Sequence, residues 1–368
     1  MSDAPPRVTS DVPADHASDD LARHVTAHIG PDDLPRLRAL LARFAGVRVL
    51  VVGDVVLDEY LVGRASRLSR EAPIPVLDLI ERFSRLGAAA NPAANVASLG
   101  GRPTLAGAIG SDAPAQAVLR ELLAAGIDAA NLVTSPTRAT ATKTRLLAVH
   151  ASAHGQQVAR IDHVPNGPLD EPTESALIAR IDAATPNVDA VLVSDYKAGV
   201  VSPRVIATVV AAARNDRKPI FVDTQGDPQR FRDFTLVKLN QPDAEAVLGR
   251  PLLSDGDFAE AAGALLADLR ARSVVVTRGA DGMSVVTADH GHVHVPPIAP
   301  TEVWDVTGAG DTVIAVLTLA LTAGGAVLDA AHLANAAAGL VVRRIGVATV
   351  TPAEIETALS PPSPRTAT

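Results

Sequence analysis

The 368-residue chain has no cysteine. That single absence excludes disulfides, thiolate zinc sites, iron–sulfur ligation and a cysteine nucleophile, so any metal must sit on oxygen or imidazole. Aromatic residues make up only 2%, and lysine is almost as rare, with four among the 33 basic residues. Arginine and alanine abundance of this kind reflects coding bias more simply than function. Even so, Lys143, Lys197, Lys218 and Lys238 each stand out against it. Basic charge is not in excess either: 41 acidic residues leave a net charge of −8, which speaks against a nucleic-acid partner. No apolar run reaches the roughly twenty residues of a membrane span. The longest, from Thr312 to Leu328, is broken by Gly324 and Gly325 and reads as a buried core helix. No basic start with an apolar stretch of roughly 7–15 residues opens the chain, so no secretory signal is expected. The composition predicts a soluble, cytoplasmic protein.

What is present is a full core, with 47% apolar and 20% charged residues. Residues 1–30 read as a mobile leader with one helical turn around Asp20–His28, residues 31–359 as the folded domain, and 360–368 as a disordered tail. Short β-branched runs at Arg48–Val52, Thr104–Ala108, Ala190–Ser194, Pro219–Asp223, Thr235–Lys238 and Ser273–Thr277 predict buried strands. Between them, helices are predicted at Pro92–Leu99, Ala113–Ala124, Glu174–Ala184, Pro203–Arg214, Asp257–Ala271 and Gly310–Thr322. Strand and helix in alternation predict an α/β fold, a doubly wound and mainly parallel sheet covered on both faces. Two stretches break the rhythm. Residues 58–80 and 142–162 read as antiparallel ribbons outside the main sheet, forming a small β lid over one edge.

The strongest local signal is Asp305-Val306-Thr307-Gly308-Ala309-Gly310-Asp311, which runs straight into the apolar helix. Glycines at a helix start leave backbone N–H groups open, and the helix dipole adds positive potential there. Such a ring of donors suits a phosphoryl group whose charge builds in a transition state. Asp311, in the same first turn, can accept the proton of an attacking hydroxyl. Taken alone, the same residues also make an ordinary capping turn. Lys238-Leu239-Asn240-Gln241-Pro242-Asp243 places Asn and Asp three apart at a helix start, able to position hydrated Mg²⁺ or merely to cap. Thr277-Arg278-Gly279-Ala280-Asp281-Gly282 is a glycine-rich turn that can meet a nucleotide or simply close a hairpin. Asp54 and Asp58, just past the first core strand, are carboxylates suited to sugar hydroxyls. His290, His292 and His294 alternate along one strand and read as solvated histidines in preference to a metal site.

Together these segments resemble the ribokinase-like (PfkB) carbohydrate kinases, and within them the D-glycero-β-D-manno-heptose-7-phosphate kinases. The likeness runs from about Leu34 to Leu359. DVTGAGDTV and the spaced N-x-x-[ED] carry the wider family, while SRLSREAPIPVL and GAAANPAANVASLGG point to the heptose branch. The resemblance implies a ribokinase-like fold with a β-sheet lid and an ATP- and Mg²⁺-dependent kinase, a monovalent cation being an open addition. It implies Asp311 as catalytic base and Gly308, Ala309 and Gly310 as the anion hole. Asn240, Gln241, Pro242, Asp243, Thr277, Arg278, Gly279, Gly282 and Asn335 would meet nucleotide, with Asn240 and Asp243 near Mg²⁺. Asp54, Asp58, Gly87, Asn91, Lys143, Arg160 and Asp195 would face the sugar, and the acceptor implied is the anomeric hydroxyl of a heptose 7-phosphate. Members of the family often pair through the lid, so a homodimer is implied. Several residues depart from the pattern: Ala88 in a Gly-Gly pair, Asp243 for Glu, Gln225 where heptose kinases often carry Lys, Arg70 for Pro, and Lys197-Ala198 in reversed order. The rival readings are a kinase for another sugar, sugar phosphate or nucleoside, and a non-catalytic sensor built on the same fold. In the related bifunctional proteins an adenylyltransferase half follows the kinase. Only nine residues follow Leu359, so the kinase half alone is expected.

Overall fold

The computed structural model describes residues 25–150, 153–298 and 303–359. Along the chain, the short strand β1 (Val25–Thr26) precedes helix α1 (Leu34–Ala42) and the first core strand β2 (Arg48–Gly53). A long hairpin follows, β3 (Val55–Leu68) and β4 (Pro75–Ala88), and then α2 (Ala90–Ser98), β5 (Arg102–Ile109), α3 (Ala113–Ala124) and β6 (Leu132–Thr134). A second hairpin, β7 (Ala141–His150) and β8 (Ala153–His163), leads to α4 (Glu171–Ala184), β9 (Ala190–Asp195), α5 (Pro203–Asn215), β10 (Ile220–Thr224) and β11 (Leu236–Asn240). The remainder comprises α6 (Gln241–Leu248), α7 (Asp255–Leu269), β12 (Ser273–Thr277), β13 (Met283–Thr287), β14 (Gly291–Val295), α8 (Ala309–Thr322), α9 (Val327–Val341) and α10 (Pro352–Leu359).

Ten strands form one sheet in the order β1-β14-β13-β12-β11-β10-β9-β2-β5-β6, parallel except where β13 turns back against β12 and β14. Side chains alternate across a strand, and here the alternation divides two cores. Val49 and Val51 of β2 point into a layer with α1, α2, α3, α8, α9 and α10. Leu50 and Val52 point the other way, against α4, α5 and α7. This two-sided burial explains why the strands read as unbroken apolar runs. Beyond β2 the chain moves to β5 on one side, whereas from β9 it moves to β10 on the other. The crevice between the carboxyl ends of β2 and β9 is therefore the topological switch point, where open α/β sheets bind ligands.

The lid is a separate four-stranded sheet, β4-β3-β7-β8. Each hairpin is antiparallel, as expected, but the two join through a parallel β3–β7 pairing that local sequence does not announce. Tyr60 of β3 stacks on Phe83 of β4 at 4.8 Å and is fully buried at the base of the lid. Farther out, Leu68, Ile74, Leu79, Ile80, Val158 and Ile161 are exposed.

Val25 and Thr26, expected in the leader and in a helical turn, instead pair in parallel with Val293 and His294 as a short edge strand. The rest of that turn up to residue 24, and the tail at 360–368, lie outside the described residues. Strands β6 and β13 and the helices α1, α9 and α10 were not expected. His290 sits in the hairpin turn, while His292 is buried against Ser284 and His294 bonds the Asp281 carbonyl. Among the described residues no cluster of carboxylates and histidines could hold a metal by itself, and no helix is long and apolar enough to cross a membrane.

Candidate active site

Helix α8 begins where its sequence says a bend is needed. Gly308 takes a left-handed conformation, φ 80°, at the N-cap position, which a side chain there would strain. A Cβ on Gly308 would also lie 2.8 Å from the Asn91 amide nitrogen, and one on Gly310 2.7 Å from the Lys238 ammonium. Both glycines thus keep the first turn of α8 open against its neighbours. The turn is fixed from behind by Asp305, which accepts from Thr307 N at 2.9 Å and from Gly346 N at 2.8 Å. Next to that contact, Val347 N donates to the Tyr60 hydroxyl at 3.0 Å, tying the base of the lid to the same loop. Among the described residues, the amides of Gly310 and Asp311 have no acceptor, as befits the first turn of a helix.

Asp311 lies in the first turn of this helix and is 4% exposed. Its Oδ2 accepts from Asn91 Nδ2 at 2.7 Å and its Oδ1 from the Tyr196 hydroxyl at 2.8 Å. Asn91 is in turn oriented by Asn95, whose amide donates to its Oδ1 at 3.0 Å and whose own oxygen accepts from Thr312. Burial, followed by the negative charge of Asp223, pushes the Asp311 carboxyl up to about 7. A carboxylate so poised is ionised in a useful fraction near neutrality and remains a much better proton acceptor than an ordinary aspartate. Tyr196 stays a donor, since burial and the Asp311 charge hold its hydroxyl well above the usual tyrosine range.

Behind Gly310, Lys238 on β11 reaches both oxygens of Asp223 on β10, each at 2.9 Å. The two are cross-strand neighbours in register, and both are buried. Burial raises the Asp223 carboxyl, an effect that the Lys238 charge opposes. Both residues line a cavity of about 1650 Å³, together with Ala309, Gly310, Asn240, Gln241, Pro242, Thr277, Arg278, Gly279, Gly282 and Asn335. The sequence motifs expected to meet nucleotide therefore converge on one hollow that ends at the α8 turn. Asp243, next to the lining Pro242, is not itself among the lining residues. Asn240 caps α6 by accepting from Asp243 N at 2.7 Å, while Asp243 Oδ2 is buried with no hydrogen-bond partner. Two expected contacts carry other duties. Arg278 lies over the Phe258 ring at 4.1 Å and pairs with Asp255, and Asn335 Nδ2 donates to the carbonyls of Val295 and Pro296.

The residues expected at the sugar fall into two groups. Asn91 touches Asp311 directly. Asp58 is buried and paired with Arg145 across β3 and β7, and Gly87 must lack a side chain because a Cβ would come within 2.3 Å of Asp58 Oδ2. Lys143 sits with its ammonium 5.1 Å from the Tyr196 ring centre. The others are engaged elsewhere. Both Asp54 oxygens are taken by the amides of Tyr196, Ala198 and Val200, so this carboxylate fixes the loop after β9 instead of lying free for a sugar. Asp195 holds Arg230 and the Lys197 amide. Arg160 is exposed on the lid's outer strand and pairs with Asp162. Tyr196, Asp223, Asn95 and Arg145 were missed as site residues. Lys238 alone carried a signal, its rarity.

The pfkB family carbohydrate kinase model matches residues 48–354. Proteins called bifunctional protein HldE are similar to this chain. One, from Geobacter metallireducens, is 39% identical over 320 residues, 87% of this chain and 64% of its own length. Another, from Chromohalobacter salexigens, is 42% identical over 317 residues, 85% of this chain and 63% of its own length. The chain thus spans less than two thirds of the length of these curated relatives. Among solved structures, Arabidopsis thaliana ribokinase complexed with ribose and ATP superimposes with a TM-score of 0.66 at 18% identity, covering 86% of this chain and 99% of its own. Escherichia coli phosphofructokinase-2 in complex with fructose-6-phosphate gives a TM-score of 0.68 at 20% identity, covering 86% and 98%. At those identities the likeness is one of fold.

Proposed function

Because the chain belongs to the pfkB family of carbohydrate kinases, we propose that it transfers the γ-phosphoryl group of ATP to a sugar hydroxyl. The acceptor proposed is the anomeric hydroxyl of a heptose 7-phosphate, on the strength of the heptose-kinase-like segments and the similarity to bifunctional protein HldE. One observation carries the reading: a buried carboxylate with its pKa raised to about 7 stands in the first turn of α8, beside open main-chain donors and at the inner end of a nucleotide-sized cavity.

In this reading Asp311 takes the proton of the attacking hydroxyl as its oxygen bonds to the γ-phosphorus and the bond to the β-phosphate oxygen breaks, giving ADP and a sugar phosphate. Asn91 and Tyr196 hold the carboxylate in place during this transfer. The open amides of Gly310 and Asp311 face the charge that develops on the transferring group, whereas the Ala309 amide, expected to join them, is taken by the Val306 carbonyl. The residues present also fit Mg²⁺. Asp243 Oδ2 is a buried oxygen without a hydrogen-bond partner, of the kind a hard cation takes, and Asn240 adjoins it. Bound with nucleotide, the ion would neutralise charge on the β- and γ-oxygens. Closure of the lid would exclude water from the hydroxyl's place. Its exposed apolar residues, Leu68, Leu79 and Ile161 foremost at 69%, 66% and 61%, support pairing of two chains through the lid.

The test is ADP release by purified protein over a panel of sugars and sugar phosphates, with the product examined by ³¹P NMR. Turnover on the heptose 7-phosphate with a new phosphate on the anomeric carbon is expected. Turnover confined to another sugar would remove the substrate assignment, and none on any sugar would remove the kinase reading.

A further inference from the structure

Lys197 combines three properties that no other residue of the site shares. It is one of only four lysines. Its backbone is left-handed, φ 59°, a conformation that costs an ordinary residue on the order of 1–2 kcal/mol. And the residue, exposed as a whole, has no ion-pair partner among the described residues. The strain is held in place by the neighbours. The Lys197 amide donates to Asp195 at 3.0 Å, and Asp54 binds the amides on either side, of Tyr196 and Ala198. Strain kept by so many bonds is typical of residues whose side chain must point somewhere particular.

The direction is clear from Gly226. A Cβ built on that glycine would lie 2.4 Å from Lys197 Nζ and 3.7 Å from Asp243 Oδ1. The ammonium therefore lies against the neighbouring turn after β10, whose Gln225 N donates to the Asp195 carbonyl, and near Asp243 of α6. Gln225, the residue before Gly226, lines the nucleotide-sized cavity, and Asp243 carries the buried unpartnered oxygen. The other lysine nearby, Lys238, is already neutralised by Asp223. Among the described residues, Lys197 is an unpaired positive charge at this corner.

We infer that Lys197 is a phosphate-binding residue: its strained loop turns an ammonium toward the cavity-lining turn after β10, where it contacts the polyphosphate of the incoming nucleotide. The inference rests on the kinase reading and deepens it. Two phosphate sources are chemically alike here, the nucleotide and a phosphorylated sugar. The contact with Gly226 and the proximity of Asp243 favour the nucleotide.

Two variants separate the possibilities. Lys197→Asn removes the charge yet tolerates a left-handed backbone, and Lys197→Arg keeps the charge. Steady-state kinetics give kcat and both KM values, while quenching of Trp304, the only tryptophan, reports MgATP binding without turnover. For Lys197→Asn we expect kcat/KM for ATP to fall by about 10²-fold, MgATP binding to weaken, KM for the sugar phosphate to stay within about threefold, and Lys197→Arg to recover part of the loss. Unchanged ATP kinetics and binding in a folded Lys197→Asn variant would overturn the inference, and so would a loss confined to the sugar-phosphate KM. If the parent turned over no sugar, the kinase reading would fail by itself. MgATP binding that weakens in Lys197→Asn would still support the phosphate contact, and equal binding would refute it.

Discussion

Replacing Asp311 by asparagine keeps the shape of the side chain and removes its charge, so it separates chemistry from architecture. Moving a carboxyl from 3.8 to about 7 corresponds to roughly 4 kcal/mol, at about 1.4 kcal/mol per pH unit. The sign follows from which state holds the proton more tightly. The folded chain does, so below pH 3.8 the group is protonated in both states and costs nothing. Between there and pH 7 the unfolded carboxyl ionises first, and the parent steadily loses stability. Above pH 7 the full penalty of keeping a buried charge is present. Asparagine does not titrate, and the Tyr196 hydroxyl can accept from its amide as readily as it donates to the acid. The variant is therefore expected to be more stable than the parent at pH 8, by up to about 4 kcal/mol, with the advantage shrinking toward pH 5. Denaturant midpoints followed through Trp304 fluorescence at pH 5, 6, 7 and 8 measure it. The same substitution should lower phosphoryl transfer by about 10²- to 10⁴-fold while MgATP still binds. In the parent, kcat/KM should fall about tenfold per pH unit on the acid side of a midpoint near 7. A stability difference that is equal at pH 5 and pH 8, or a parent whose rate is flat from pH 5.5 to 8, would refute this account of Asp311.

Gly310→Ala puts a methyl 2.7 Å from the Lys238 ammonium; it should strain that lysine's buried pair with Asp223, lower the melting temperature and reduce kcat by about 10²-fold. Lys238→Met leaves Asp223 buried without its partner, and a loss of about 3–5 kcal/mol is expected by equilibrium unfolding. Adding Asp223→Leu to it should return much of that stability but no activity. Ile161→Glu, on an exposed apolar position of the lid, is expected to convert a dimer to a monomer in sedimentation equilibrium. A parent already monomeric at the same concentration would dispose of lid pairing.

Much of this arrangement was legible from local sequence, and what was not has a common cause. Strands β2, β5, β9, β10, β11 and β12 appear where β-branched runs stand, because burial on both faces leaves a continuous apolar signature. The DVTGAGD segment betrays the α8 start because only glycine suits the left-handed N-cap at Gly308. Asp223 and Lys238 are fifteen residues apart and meet only because β10 and β11 pair in one register. No spacing rule along the chain brings them together. Likewise Arg145 reaches Asp58 through the parallel β3–β7 pairing. Helix α9 was overlooked because it is buried nearly all round, and alanine on every side hides the amphipathic period. The role of Asp54 is hard to read from sequence for a subtler reason. A carboxylate at a strand end looks the same in sequence whether it greets a ligand or holds a neighbouring loop, and here it holds the loop that carries Tyr196 and Lys197.

The contact between Tyr60 and the 346–347 loop has a mechanical corollary. Tyr60 belongs to a lid strand, its hydroxyl meets Val347 N, and the adjoining Gly346 N is bonded to Asp305, which also grips Thr307 immediately ahead of the α8 turn. A Cβ on Gly346 would strike the Tyr60 ring at 2.8 Å, so the joint has no slack. Any tilt of the lid at its root is thereby transmitted, over a handful of atoms, to the donors that receive the phosphoryl group. Covering the acceptor and squaring up its target become one movement.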